Sequence, residues 1–232
     1  MAKKEKVFRL KLWTPKGMLG FSYLVKPDLG RQFSDNKLKA DLFINKAIFK
    51  EKGKALEEAV REVGKKAFGN DFNLKGIKWR SPFKDTDKDE KMIYDNQKNC
   101  IFIRAKGFGG GNSGEPHAEI KVIGAKKTKD GMFPYLSLDQ RNAIKGGDIA
   151  ALNVTVNPYP ESKDAKGNVV ALPGVTFGLN MVQLIAVGEG FGQGNSQAMQ
   201  TAEEYEDESD SPDEVETDES PVDDEEENDS VI

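Results

Sequence analysis

The sequence predicts a mainly β protein: a small closed antiparallel barrel with one inserted α-helix, ending in a disordered acidic tail. Three observations carry this. Apolar residues recur with period two in several short segments bounded by Gly or Pro. Only one stretch carries the helical period instead. Strands and helices do not alternate, which argues against a parallel α/β sheet and for closure of a small barrel.

Residues 1–12 are basic and expected to be mobile. Met18–Val25 (MLGFSYLV) is an apolar run closed by KPD, a strand ended by a turn. Lys37–Ile44 alternates. Leu38, Ala40, Leu42 and Ile44 share one face, and Lys37, Lys39, Asp41 and Phe43 the other, as in a half-buried strand. Lys50–Phe68 changes period. Leu56, Val60, Val63 and Ala67 recur at helical spacing, and Gly69-Asn70 supplies the stop. Asn99–Ala105 returns to alternation, with Ile101, Ile103 and Ala105 opposite Cys100, Phe102 and Arg104. A glycine-rich loop begins at Gly107. His117–Ala125, Asp148–Val156 and Val175–Val187 are rich in β-branched residues and bounded by Gly or Pro, so each reads as a strand. Residues 157–174 form a long loop or hairpin between the last two. Residues 1–190 are therefore expected to fold, 191–202 to be a flexible linker, and 203–232 to stay disordered, because few apolar groups offset the ordering entropy there.

The charge is divided unevenly. Residues 203–232 hold 17 Asp and Glu and no Lys or Arg, which leaves 22 of the 39 acids facing all 34 basic residues in the body. The body is thus +12 and the tail −17. Such asymmetry points to a polyanionic partner for the body, with the tail as competitor or docking arm. A basic domain with a merely solubilising tail is the plainer alternative. The single cysteine, Cys100, excludes an intrachain disulfide and suits a reducing compartment. No apolar run approaches the roughly 20 residues of a membrane span, and the N-terminus lacks a signal peptide's apolar stretch. A soluble protein of the cytoplasm is expected, with no membrane contact.

Catalytic equipment is sparse. One histidine, His117, and one cysteine exclude zinc clusters built from several of each. Gly109, Gly111 and Gly114 match G-x-G-x-x-G, yet a strand rather than a helix N-terminus follows. Asp85, Asp87 and Asp89 fall at calcium-loop spacing. Glu90 stands where Gly is needed and Asn96 where a bidentate Glu is needed, so the motif fails. No metal or other cofactor is expected. A magnesium-dependent nuclease using Asp85, Asp87, Asp89 and Glu90 is the weakest of the alternatives.

What remains is cation interleaved with aromatic. KGIKWRSPFK brings Lys78, Trp79, Arg80, Phe83 and Lys84 together; Phe102 and Arg104 share a strand face; VKPDLGRQF adds Lys26 and Arg31; NPYP sets Tyr159 between prolines. Single-stranded nucleic acid demands this mixture, since cations follow phosphates and flat rings stack on unpaired bases. Several rings are core candidates instead: Phe43, Phe68, Phe72 and Phe177 read as buried.

On these residues the chain resembles the phage-encoded single-stranded DNA-binding proteins. GVTFGLNMVQLIAVGEG (174–190) is similar to the closing strand segment of one phage branch. VKPDLG, KLKADLFINK and WRSPFKDTDKDEK are similar to its earlier blocks. The end DDEEENDSVI is similar to the acidic, hydrophobically closed tails of such proteins, with Ile232 where an aromatic residue is usual. The resemblance implies an oligonucleotide-binding (OB) fold, a five-stranded Greek-key barrel whose groove takes single-stranded DNA without sequence preference. It implies a role in phage replication, recombination and repair in the host cytoplasm. It also implies that the tail, through Asp229, Val231 and Ile232, contacts phage or host replication proteins. The DNA-binding residues expected are Lys26, Arg31, Lys78, Trp79, Arg80, Phe83, Lys84, Phe102, Arg104 and Tyr159. A general DNA- or RNA-binding interaction protein that also takes duplex DNA is the alternative. Monomer and homodimer both fit.

Overall fold

The structure, a computed structural model, describes residues 7–27, 36–76, 78–88, 97–110, 115–188 and 216–217. Arg31, Asp89, Glu90, Asn96, Asp229, Val231 and Ile232, the linker, and the tail apart from 216–217 lie outside these residues.

The first strand is broken in two. β1 (Leu10–Trp13) and β2 (Gly17–Leu19) both pair antiparallel with β7 (Ile149–Tyr159), Trp13 opposite Asn153 and Gly17 opposite Ala150. Pro15 interrupts the ladder because it has no N–H to give. Thr14 bridges the gap: its N–H donates to the Leu152 carbonyl at 2.8 Å and its hydroxyl accepts from the Leu152 N–H at 3.0 Å. Residues 10–12, expected to be mobile, are thus tied into the sheet. The apolar run from Met18 gives only a short strand. Beyond Leu19 the chain follows β3 (Lys39–Asn45) through single bonds, such as Gly20 N–H to the Asp41 carbonyl at 2.7 Å.

The barrel closes through five seams. β2 pairs with β3, β3 with β5 (Cys100–Lys106), β5 with β10 (Gly174–Ala186), β10 with β7, and β7 with the β1–β2 strand. Counting β1–β2 as one strand, the order around the barrel is first, second, third, fifth, fourth, which is the OB topology. Four seams are antiparallel; the β5–β10 seam, Phe177 opposite Ala105, is parallel.

The barrel interior follows the alternation predicted. Leu42, Ile44, Ile103, Ala105, Leu152, Val154, Phe177 and Leu179 fill it. α1 (Lys46–Lys52) begins where the Asn45 side chain accepts from the Ala47 N–H at 2.9 Å. Gly53 separates it from α2 (Lys54–Phe68), so the predicted helix is two helices. α2 buries Leu56, Ala59, Val60, Val63 and Gly64. Ala67 stays exposed; Gly64 takes the inward place, and a Cβ there would stand 2.1 Å from the Phe72 ring.

β3 is not half-buried. Lys39, Asp41 and Phe43 on its outer face are also buried. A second apolar cluster covers that face: Met18, Phe43, Cys100, Phe102, Ile149, Ala151 and Ile185. Its burial pushes the Cys100 thiol up to about 11, helped by the nearby Asp87 carboxylate.

The remaining elements decorate the barrel. β4 (Lys84–Asp85) pairs with β5, and a tight 3-10 turn, Thr86–Lys88, follows. β6 (Lys121–Ile123) runs along β10 beyond β5; it is all that becomes strand in the segment expected from His117 to Ala125. α3 (Leu138–Asn142) carries a capping box between Ser137 and Gln140. β8 (Ser162–Lys163) and β9 (Val169–Ala171) form the hairpin between β7 and β10. β11 (Glu216–Thr217), inside the predicted tail, pairs with β1.

Candidate nucleic-acid interface

Strand geometry builds one wall of a cleft. Successive side chains on β5 point to opposite faces, so Phe102, Arg104 and Lys106 share the outer one. β4 places Lys84 directly opposite Phe102, with its Nζ 5.8 Å from the ring centroid. Arg104 lies 5.6 Å from the same ring. The guanidinium of Arg104 is held side-on by the Asp41 carboxylate, Nε to Oδ1 and Nη2 to Oδ2, both at 2.6 Å. The Asp41 side chain is 6% exposed and that of Arg104 46%, so the carboxylate lies beneath and the guanidinium faces the cleft.

The opposite wall comes from β7, β10 and the segment before β4. Arg80 is pinned by its backbone to the start of β10. Its N–H donates to the Pro173 carbonyl at 2.8 Å, and its carbonyl accepts from the Val175 N–H at 3.4 Å. Gly174 permits this approach: a Cβ there would stand 2.2 Å from the Arg80 carbonyl oxygen. Tyr159 faces Gly174 across the β7–β10 ladder, and the Arg80 guanidinium lies 5.7 Å from its ring. Phe108, from the glycine-rich loop, lies over Gly178, where a Cβ would meet its Cζ at 2.6 Å. The loop is held on one side by Lys37, whose Nζ donates to the Gly109 carbonyl at 3.4 Å.

These walls enclose about 450 Å³. Among the described residues, five cations line it, Lys37, Arg80, Lys84, Arg104 and Lys106, with Phe102, Phe108, Tyr159 and the buried Phe177, and none that lines it is acidic. The cleft therefore presents concentrated positive potential beside ring faces, which suits a phosphate chain carrying unpaired bases.

Arg80, Lys84, Phe102, Arg104 and Tyr159, singled out in the sequence, thus converge. Others do not. Trp79 turns toward α2, its ring 5.3 Å from both Phe68 and Phe72. Phe83 packs between Phe49 at 5.2 Å and Phe177 at 5.7 Å. Lys26 and Lys78 are exposed but do not line the cleft. Phe102 is only 7% exposed and 5.1 Å from Phe43, so it serves as a floor beneath two cations more than as an open face. Phe108, 44% exposed, was missed; a single aromatic among glycines was its only signal. Lys37 was missed as well; Lys106, on the strand face of Phe102 and Arg104, joins the lining.

Of the acidic residues weighed as a metal site, Asp85 and Asp87 are engaged with a lysine. Lys46 Nζ lies 2.5 Å from Asp85 Oδ1 and 2.7 Å from Asp87 Oδ2. These bonds hold both carboxyls below the usual range and raise the lysine. Among the described residues, no three of His, Cys, Asp or Glu are grouped to hold a metal. No helix among them is long and apolar enough to cross a membrane. His117 packs its ring against Gly110, where a Cβ would stand 1.9 Å away, as a prop for the glycine loop.

No family model and no curated protein matches the chain. Solved structures do. A single-stranded DNA-binding protein from bacteriophage Enc34, in complex with ssDNA, superposes with a TM-score of 0.53 at 16% identity, over 82% of this chain and 97% of that one. Its C-terminally truncated form gives 0.52 at 17% identity, over 82% and 96%. The same phage protein in a third structure gives 0.50 at 16% identity, over 86% and 96%. At such identity the likeness establishes the fold.

Proposed function

We propose that this chain binds single-stranded DNA, without sequence preference, in the cleft between β5, β10 and the Arg80–Lys84 segment. The observation that carries this is the cleft's lining: among the described residues, five cations and four aromatic side chains, with no carboxylate among them. Rings stack on any base and cations follow any phosphate chain, which favours binding with little regard to sequence. The likeness to a phage single-stranded DNA-binding protein supports the same ligand. On this reading the protein coats and protects single strands during phage replication, recombination and repair, in the cytoplasm of the host cell.

The body, 1–190, carries the cleft, followed by a linker, 191–202, and the acidic tail, 203–232, of which Glu216–Thr217 pairs with β1. Tethered beside the cleft, a −17 polyanion competes with DNA at high effective concentration. DNA displaces it and frees Asp229, Val231 and Ile232 for a replication protein.

Fluorescence anisotropy with labelled oligo-dT tests this, comparing the full chain with residues 1–202 across a salt series and against a duplex competitor. If each of the five cleft cations meets a phosphate, log K should fall with log salt at a slope of about −3.5. The shortened chain should bind more tightly at low salt. Equal competition by duplex would replace this reading with the general DNA-binding one.

A further inference from the structure

A second basic and aromatic surface stands outside the cleft. Residues 121–136, KVIGAKKTKDGMFPYL, fold back on themselves as an arm. Its two limbs are joined by backbone bonds: Leu136 N–H to the Val122 carbonyl at 2.8 Å, Gly124 N–H to Pro134 at 3.0 Å, and Thr128 N–H to Met132 at 2.7 Å. Gly131, at φ +77°, makes the tip. The arm is thus a held shape, tied across at three levels by these bonds.

Val122, Ile123 and Leu136 root the arm in the core, and beyond them its side chains face outward. Met132 is 68% exposed and Tyr135 64%. The arm carries four lysines, Lys121, Lys126, Lys127 and Lys129, against a single acid, Asp130. Two of these lysines sit over rings: Lys121 Nζ is 5.8 Å from the Tyr135 centroid and Lys127 Nζ 5.5 Å from that of Phe133. The cleft uses the same cation-over-ring unit, in Arg80 with Tyr159 and Lys84 with Phe102.

Position links the two surfaces. β5 and β6 lie end to end along one edge of β10. Lys106 pairs with Gly178 at the cleft, and Lys121 pairs with Met181 at the root of the arm. Three strand residues separate them, about 10 Å at the rise of an extended chain.

We propose that the arm is a second contact for the same single strand, taking nucleotides that run out of the cleft past Lys106 and Phe108. This rests on the cleft reading above. Lys121 and Lys127 meet phosphates, and Tyr135 and Phe133 stack on bases. The engaged length of DNA is then longer than the cleft alone holds.

The test uses the full chain and two oligo-dT probes, of about 6 and about 16 nucleotides, the lower and upper parts of what one OB fold engages. Two variants are compared with wild type: Phe133→Ala/Tyr135→Ala and Lys121→Ala/Lys127→Ala. Both should bind the shorter strand as wild type does. On the longer strand the ring variant should lose at least about thirtyfold in affinity, two stacked bases, and the lysine variant should show a salt slope shallower by about 1.4. Tyr135→Phe, which keeps the ring, should bind the longer strand normally. Wild-type affinity and slope for the longer strand in both variants would overturn the proposal and leave the arm's rings to a protein partner. A wild-type chain that binds neither strand would remove the cleft reading, and the arm's role with it.

Discussion

The proposed stacking in the cleft is tested most directly at Phe108. This residue is 44% exposed and rests on Gly178 rather than in either apolar cluster, so Phe108→Ala removes a ring face without opening a core cavity. The expected cost in stability is about 1 kcal/mol or less. The expected cost in binding is one stacked base, about 1–3 kcal/mol, or roughly 5- to 150-fold in Kd. Gly178→Ala gives the converse perturbation. The ring stays, but the new Cβ would stand 2.6 Å from Phe108 Cζ and 2.9 Å from Asn157 Nδ2, so the ring must leave its seat. It should lose part of the same affinity. Phe102→Ala provides the contrast: at 7% exposure and 5.1 Å from Phe43, its loss should cost about 3 kcal/mol in stability. The assays are oligo-dT anisotropy and thermal unfolding on the same samples. A Phe108→Ala protein with unchanged Tm and a Kd within about twofold of wild type would refute the stacking role.

Other outcomes follow from the same geometry. Arg80→Ala should make the salt slope shallower by about 0.7, the share of one phosphate contact on a single strand; an unchanged slope would take Arg80 out of the DNA path. Trp79→Ala should lower stability by about 2 kcal/mol, through lost packing on Phe68 and Phe72, and leave Kd for oligo-dT unchanged; a weakened Kd at unchanged Tm would reverse that assignment. Asp85 and Asp87 have carboxyls lowered by Lys46, so their contribution is present above the ordinary carboxylate value of 3.8 and is lost as pH falls below it through the lowered folded values. Lys46→Met should flatten the acid limb of stability, followed by circular dichroism; an unaltered limb would deny the bridge any role.

Much of the barrel was legible because its strands alternate. The inner set Leu42, Ile44, Ile103 and Ala105 follows from period two alone, and so does the placing of Phe102 and Arg104 on the outer face of β5. Period two does not say what covers that outer face. β3 looked half-buried because its second face mixes Lys39, Asp41 and Phe43, yet that face is covered by residues brought from four other strands. The placing of Trp79 away from the cleft has a related cause. Charged neighbours in KWR suggest exposure only if the backbone is regular, and residues 74–76 and 78–79 are turns and bends, so spacing sets no common face. Phe108, Phe133 and Tyr135 sit in irregular or loosely patterned segments, where sequence spacing carries no direction. Only the fold supplies one: parallel β5 and β6 on β10 bring these loops to the same edge.

The Arg104–Asp41 pair bears on how binding is achieved. An arginine at a cleft wall ordinarily surrenders its rotamers when the ligand arrives, at about 0.5–1.5 kcal/mol per ordered side chain. Here two bonds of 2.6 Å to a buried carboxylate have frozen the guanidinium plane during folding. The loss falls on the stability of the fold, not on affinity for DNA. Arg104→Lys would keep the charge but not the two-pronged grip, and the entropy would be charged again each time a strand docks.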